Sequence, residues 1–90
     1  MYYAYILLSL KDHKFYIGYS SNLKERLDNH NTGGTKSTSH RRPLKLIYYE
    51  AFISEKDAKR RERYFKTTKG KKTLKLILRD TLIKLKTTYV

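Results

Sequence analysis

The chain has 90 residues, of which 21 are Lys or Arg and 8 are Asp or Glu, giving a formal net charge of +13 at pH 7. A chain of this length builds one modest hydrophobic core, so we expect a single domain over residues 1–90. Because the sequence contains no cysteine, disulfides, cysteine-ligated metal centres and thiol nucleophiles are excluded.

The longest apolar run covers residues 2–10, whereas a helix needs about 20 residues to span a bilayer, and no basic region precedes it. We therefore expect a soluble, cytoplasmic protein without a membrane partner. The excess positive charge repels itself unless a polyanion offsets it, and 13% aromatic residues argue against a disordered basic tail. DNA or RNA is the expected partner, and a basic surface that serves only solubility is the alternative.

Two segments rich in aromatic and branched residues, 2–8 and 15–19, flank a polar stretch and predict a β-hairpin. Side chains alternate between the two faces of a strand. If Ile6 and Ile17 share the better-buried face, Tyr5 and Tyr16 share the other face.

Asn22 with Glu25 three residues later resembles a capping box and predicts a first helix over residues 23–29. Residues 33–43 contain a glycine pair, the only proline and several basic side chains, which is typical of a polar, positively charged loop.

A third strand is predicted over residues 45–53, and Ser54 is predicted to cap a second helix that ends near residue 66. Gly70 is expected to separate it from a third helix, whose apolar stripe comprises Leu74, Ile77, Leu78, Thr81, Leu82 and Leu85. The order β-β-α-β-α-α predicts an α/β fold: a small three-stranded, mainly antiparallel sheet flanked by three helices.

Three features of this arrangement could carry chemistry. Gly18 lies inside a strand beside Tyr16, where glycine often marks a bulge or a close approach by another backbone or a ligand. Arg26 and His30 share the face that two leucines turn toward the protein body, although an arginine there can extend its head to water. Glu62 lies on the apolar stripe of the second helix, so it needs either a metal or an ion-pair partner.

The segment of residues 55–75 has ten basic and three acidic residues, which fits either phosphate contact or a solvated helix face. Together with the loop of residues 33–43 it supplies the candidate nucleic-acid-binding residues, which are Lys36, Arg41, Arg42, Arg63, Lys66, Lys69, Lys71 and Lys72.

The ordered set of Tyr3-Ala4-Tyr5, Tyr16-Ile17-Gly18, residues 21–27 followed by His30-Asn31, and residues 58–62 resembles the GIY-YIG nuclease superfamily. The resemblance is to its small stand-alone members and extends over residues 2–66. It implies a compact α/β endonuclease domain that hydrolyses DNA phosphodiester bonds with one divalent metal ion, Mg²⁺ or Mn²⁺. Relatives of this kind include DNA repair enzymes, restriction enzymes and structure-selective nucleases.

By motif match, the resemblance implies that Tyr5, Tyr16, Arg26, His30 and Glu62 are catalytic. Glu62 would bind the metal, Arg26 the scissile phosphate, and Tyr16 or Tyr5 would accept a proton from the attacking water. Selection of DNA by shape or single-stranded character is expected, because no element of the chain is suited to reading a groove. The alternatives are a non-catalytic DNA- or RNA-binding protein that retains the fold and a structural protein of a ribonucleoprotein particle.

Overall fold

The computed structural model describes residues 1–89, with side chains to residue 85. Three strands, four α-helices and a short 3₁₀ turn follow one another in this range. They are β1 (Tyr2–Ser9), β2 (Phe15–Ser20), α1 (Leu23–Asn31), the 3₁₀ turn (Ser39–Arg41), β3 (Leu44–Phe52), α2 (Glu55–Lys66), α3 (Thr68–Ile77) and α4 (Arg79–Tyr89). The sheet is antiparallel throughout, in the order β2-β1-β3, which confirms the predicted α/β fold.

β1 is the central strand and is buried on both faces. Ile6 pairs with Ile17 and packs with Phe65 of α2 in an apolar core, while Tyr5 and Leu7 lie in a second cluster on the opposite face. The predicted division of side chains between the two faces is confirmed. The sequence did not reveal that the tyrosine face is equally buried: Tyr5 and Ile6 are both 0% exposed.

α1 covers part of the tyrosine face through the half-buried Leu23 and Leu27. The Asn22 side chain caps this helix by accepting a hydrogen bond of 3.2 Å from the Glu25 backbone N–H. The cap satisfies one of the donors that a helix N-terminus leaves unpaired, so the predicted start of the helix is confirmed. The helix continues two residues past its predicted end, to Asn31.

The C-terminal helices differ from the prediction in two ways. The chain turns from α2 to α3 at Thr67, whose side chain accepts a hydrogen bond from the Gly70 N–H. Gly70 is thus inside α3, where a Cβ would overlap the Tyr64 backbone carbonyl, so glycine permits close packing of α3 on the end of α2.

The predicted third helix is two helices, because the backbone at Leu78 departs from helical geometry. Leu74, Leu78 and Leu85 are all buried, so the apolar stripe continues across the break. No glycine or proline marks this position, and the periodic pattern therefore could not reveal it. Within residues 1–89, no helix is long and apolar enough to cross a membrane.

Candidate active site

The Tyr5 phenol lies against Gly18, the residue paired with Tyr5 across the β1–β2 ladder. A Cβ at Gly18 would overlap the ring and hydroxyl of Tyr5, so only glycine leaves room for this side chain. The close approach expected at Gly18 is present, but it comes from a side chain of the same protein rather than from another backbone or a ligand.

Tyr5, His30 and Thr38 form a hydrogen-bonded series that is buried at every member. The Tyr5 hydroxyl lies 2.9 Å from His30 Nε2, and His30 Nδ1 lies 2.7 Å from the Thr38 hydroxyl. Burial, assisted by the positive charge of Arg26, lowers the pKa of His30. Burial also raises the pKa of Tyr5 to about 12, against the opposing effect of the Arg26 contact. Both side chains are therefore neutral at neutral pH.

Arg26 and Tyr16 lie next to the Tyr5–His30–Thr38 series and are more exposed than its members. The Arg26 guanidinium interacts with the Tyr5 and Tyr16 hydroxyls, and the contact with Tyr5 raises the pKa of Arg26. The Tyr16 ring stands edge-on to the His30 ring, with centroids 4.9 Å apart. Arg26 also borders an open polar cavity of about 170 Å³, whose other lining residues are Ser20, Ser21, Asn22, Glu25 and Asn29. An anion in that cavity would meet the Arg26 guanidinium, on which both phenols act.

Glu62 of α2 approaches the same group. Its negative charge contributes to the raised pKa of Tyr5, so the carboxylate acts electrostatically on the tyrosine cluster. Its side chain is 18% exposed and forms an ion pair of 3.0 Å with Lys66, whose side chain is 54% exposed. The ion pair that the sequence allowed is therefore present, and its lysine is an exposed side chain. Four of the five residues matched by the motifs, Tyr5, Tyr16, Arg26 and His30, thus form one cluster, and Glu62 is linked to it through its charge.

The donor chemistry of this region fits a hard divalent cation. Glu62 supplies one partly exposed carboxylate, and Mg²⁺ is held in many sites by one or two carboxylates, water and substrate phosphate oxygens. The described residues contain no group of three His, Asp or Glu able to enclose a metal. Glu62 would therefore hold the ion together with water and a phosphate, and we expect weak affinity without nucleic acid.

The candidate nucleic-acid-binding residues fall into two classes. Arg41 is 18% exposed, and its guanidinium binds Asp12 at 2.8 Å and the backbone carbonyls of Lys14 and Phe15, which ties the loop to the β1–β2 turn. Its charge is thus already matched. The others are exposed, and all but Lys66 lack a carboxylate partner among the described residues; they are Lys36, Arg42, Arg63, Lys66, Lys69, Lys71 and Lys72. Five of them, from Arg63 to Lys72, form what we call the α2–α3 junction cluster.

Thr38 is a site residue that the sequence did not indicate. It lies in the loop interpreted as polar and positively charged, yet it is 0% exposed and hydrogen-bonded to His30. No periodic or motif signal distinguishes Thr38 from the neighbouring Ser and Thr residues, because its burial depends on how the loop folds over the end of α1.

The comparisons with known proteins agree with this geometry. Residues 1–75 match the family described as the GIY-YIG catalytic domain. A UPF0213 protein of Staphylococcus haemolyticus is 43% identical over 76 residues, covering 83% of this chain and 92% of that protein. One from Clostridium perfringens is 42% identical over 78 residues, covering 86% of this chain and 83% of that protein. The solution NMR structure of a UPF0213 protein from Bacillus halodurans has a TM-score of 0.53 and 34% identity, covering 86% of this chain and 85% of that one. The resemblance seen in the motifs is confirmed: the chain belongs to the GIY-YIG family.

Proposed function

We propose that this protein is a metal-dependent endonuclease that hydrolyses DNA phosphodiester bonds and selects DNA by structure. The observation that carries the proposal is the meeting of Arg26 with the Tyr5 and Tyr16 hydroxyls, within electrostatic reach of Glu62. An anion-binding guanidinium, proton-accepting oxygens and a metal-binding carboxylate are the groups that phosphodiester hydrolysis requires, which supports the proposal.

Arg26 is the phosphate-binding group in this scheme. A planar guanidinium donates two parallel hydrogen bonds to a phosphoryl group, and it offsets the negative charge that accumulates in the transition state. Because Arg26 borders an open cavity, a DNA strand can reach it from solvent.

Tyr16 is the better candidate for the proton acceptor. Tyr5 is fully buried and hydrogen-bonded to His30, whereas Tyr16 is half-buried and faces Arg26. A general base must come within hydrogen-bond distance of the water whose proton it accepts, which favours the more accessible hydroxyl. A divalent ion held by Glu62 would supply Lewis-acid polarisation of the phosphate.

The exposed cations support recognition of DNA by structure. The α2–α3 junction cluster and the loop residues Lys36 and Arg42 present positive charge suited to phosphates. Phosphate contacts position a protein on nucleic acid but carry no base-sequence information. We therefore assign this protein a preference for branched, nicked or single-stranded DNA over a defined duplex sequence.

The test compares wild type with Glu62→Gln on flap, branched, nicked and single-stranded DNA, with Mg²⁺ or Mn²⁺. Glu55→Gln is a matched control, because Glu55 lies on the same helix and forms an i,i+4 ion pair with Lys59. We expect cleavage by wild type and by Glu55→Gln, and none by Glu62→Gln. If wild type binds these substrates without cutting any of them, the protein is a binding protein that retains the fold. If Glu62→Gln cuts as well as wild type, the metal site lies elsewhere.

A further inference from the structure

The buried series Tyr5–His30–Thr38 determines which way each proton in it points. The Thr38 hydroxyl carries a single proton and has two neighbours, His30 Nδ1 at 2.7 Å and the Thr35 carbonyl at 3.4 Å. A carbonyl oxygen only accepts hydrogen bonds. If Thr38 donates to Thr35, it must accept from His30, and the histidine then carries its proton on Nδ1.

The other end of the series requires the same arrangement. The Tyr5 hydroxyl lies 2.9 Å from His30 Nε2, and the guanidinium of Arg26 also acts on it. A guanidinium only donates, so the Tyr5 proton has His30 Nε2 as its acceptor. With a proton on Nδ1 and none on Nε2, every hydrogen-bond donor from Tyr5 to Thr38 has an acceptor, as expected for a buried polar network.

The opposite tautomer would disturb Arg26. If Nε2 carried the proton, His30 would donate to Tyr5, and the Tyr5 proton would turn toward the guanidinium, which cannot accept it. The Thr35 carbonyl would also lose the bond from the Thr38 hydroxyl and keep only the one from the Thr38 backbone N–H. The tautomer of the fully buried His30 thus decides whether Tyr5 presents lone pairs or a proton to Arg26.

We propose that Thr38 is a positioning residue that holds neutral His30 in its Nδ1–H tautomer, so that Tyr5 donates to His30 and offers its lone pairs to Arg26. The hydrogen bond at one ring nitrogen of a histidine sets which tautomer the other nitrogen presents. The contribution of this series to cleavage rests on the proposed function, but the tautomer itself does not.

The experiment measures the His30 tautomer in the free protein by two-bond ¹H–¹⁵N correlation NMR, which distinguishes protonated from unprotonated ring nitrogens. The variants are Thr38→Val, which keeps the shape but removes the acceptor, Thr38→Ser, which keeps the hydroxyl, and Tyr5→Phe. We expect Nδ1–H in wild type, Thr38→Ser and Tyr5→Phe, and a shift to Nε2–H in Thr38→Val. If Thr38→Val retains Nδ1–H, or Tyr5→Phe alone loses it, the proposal is overturned.

Two further measurements complete the test. If Thr38→Val does not fold, Thr38→Cys replaces it, because a thiol is a weak acceptor and a mixture of tautomers is expected; a pure Nδ1–H form overturns the proposal. For cleavage, we expect Thr38→Val to lower kcat about tenfold with little change in KM, and Thr38→Ser to restore it. A tautomer shift in a protein that cuts no DNA would sustain the proposal for Thr38 while refuting the proposed function.

Discussion

Tyr5 and Ile6 are neighbours in the central strand and are equally buried, but they face two different interiors. Ile6 packs among apolar side chains of β2, α2 and α3, including Phe65 and Leu74. Tyr5 lies over Gly18 and ends in a hydrogen bond to His30. One strand therefore separates an apolar core from a second interior in which apolar side chains surround a buried hydrogen-bonded series.

The two interiors differ in the interactions that stabilise them. The apolar core is stabilised by buried area, which depends on total contact more than on any single atom. In the tyrosine core each polar atom needs a particular partner, so a change of one atom leaves another unpaired. We therefore expect substitutions on the Ile6 side to affect stability, and conservative substitutions on the Tyr5 side to affect cleavage.

The largest stability effect is expected for Phe65→Ala. This fully buried ring packs on the Ile6 cluster, and its removal is expected to cost about 3–5 kcal/mol of unfolding free energy. Urea denaturation measures the loss, and cleavage per folded molecule should remain near wild type. Ile53→Ala, at a side chain 87% exposed, is the control and should change stability little. Equal losses for both variants would contradict the assignment of Phe65 to the core.

Gly18→Ala tests the contact between the strand and the Tyr5 phenol. The added methyl group would collide with the ring, at a cost of about 1–3 kcal/mol, and would displace Tyr5 from His30. Gly34→Ala is the matched control, because a Cβ there meets only ordinary contacts from 3.4 Å outward. Thermal unfolding and cleavage should both distinguish the variants. If Gly18→Ala behaves like Gly34→Ala, Tyr5 does not need this space.

Tyr5→Phe removes the Tyr5 hydroxyl from the face of the sheet that carries the candidate active site. His30 loses its partner at Nε2, which is expected to cost about 1–3 kcal/mol. Arg26 loses a contact that holds it, and we expect cleavage to fall about 100-fold because the phosphate-binding group is misplaced. Tyr48→Phe is the matched control, since Tyr48 packs on the apolar core and donates to Glu50. Equal cleavage by the two variants would place the active centre away from Tyr5.

The smallest effect is a pH dependence that originates in His30. Because the pKa of His30 is lowered by folding, the unfolded chain binds more protons between that value and about 6.5. The contribution of His30 to the free energy of unfolding is therefore complete above pH 6.5. It decreases as the pH falls through the pKa that His30 has in the folded protein. His30→Gln should remove this slope, whereas His40→Gln, at an exposed position, should leave it unchanged. A wild-type slope in His30→Gln would assign the effect to another group.

Local patterns predicted the elements and the two strand faces well. The Asn22 cap, the hairpin alternation and the position of Glu62 beside Phe65 each depend on residues within one turn or one strand. The break at Leu78 and the helical Gly70 were missed, since both depend on how α3 packs against α2 and the core.

The sequence by itself determined the family motifs, the strong positive charge and the residue types available for chemistry, because these are properties of composition and short spacing. Tertiary structure alone decided that Tyr5 meets His30 from 25 residues away and that Thr38 is buried while Arg41 is bound to Asp12. Such pairings depend on strand register and loop path, which are set by the packing of the whole chain and not by the order of neighbouring residues.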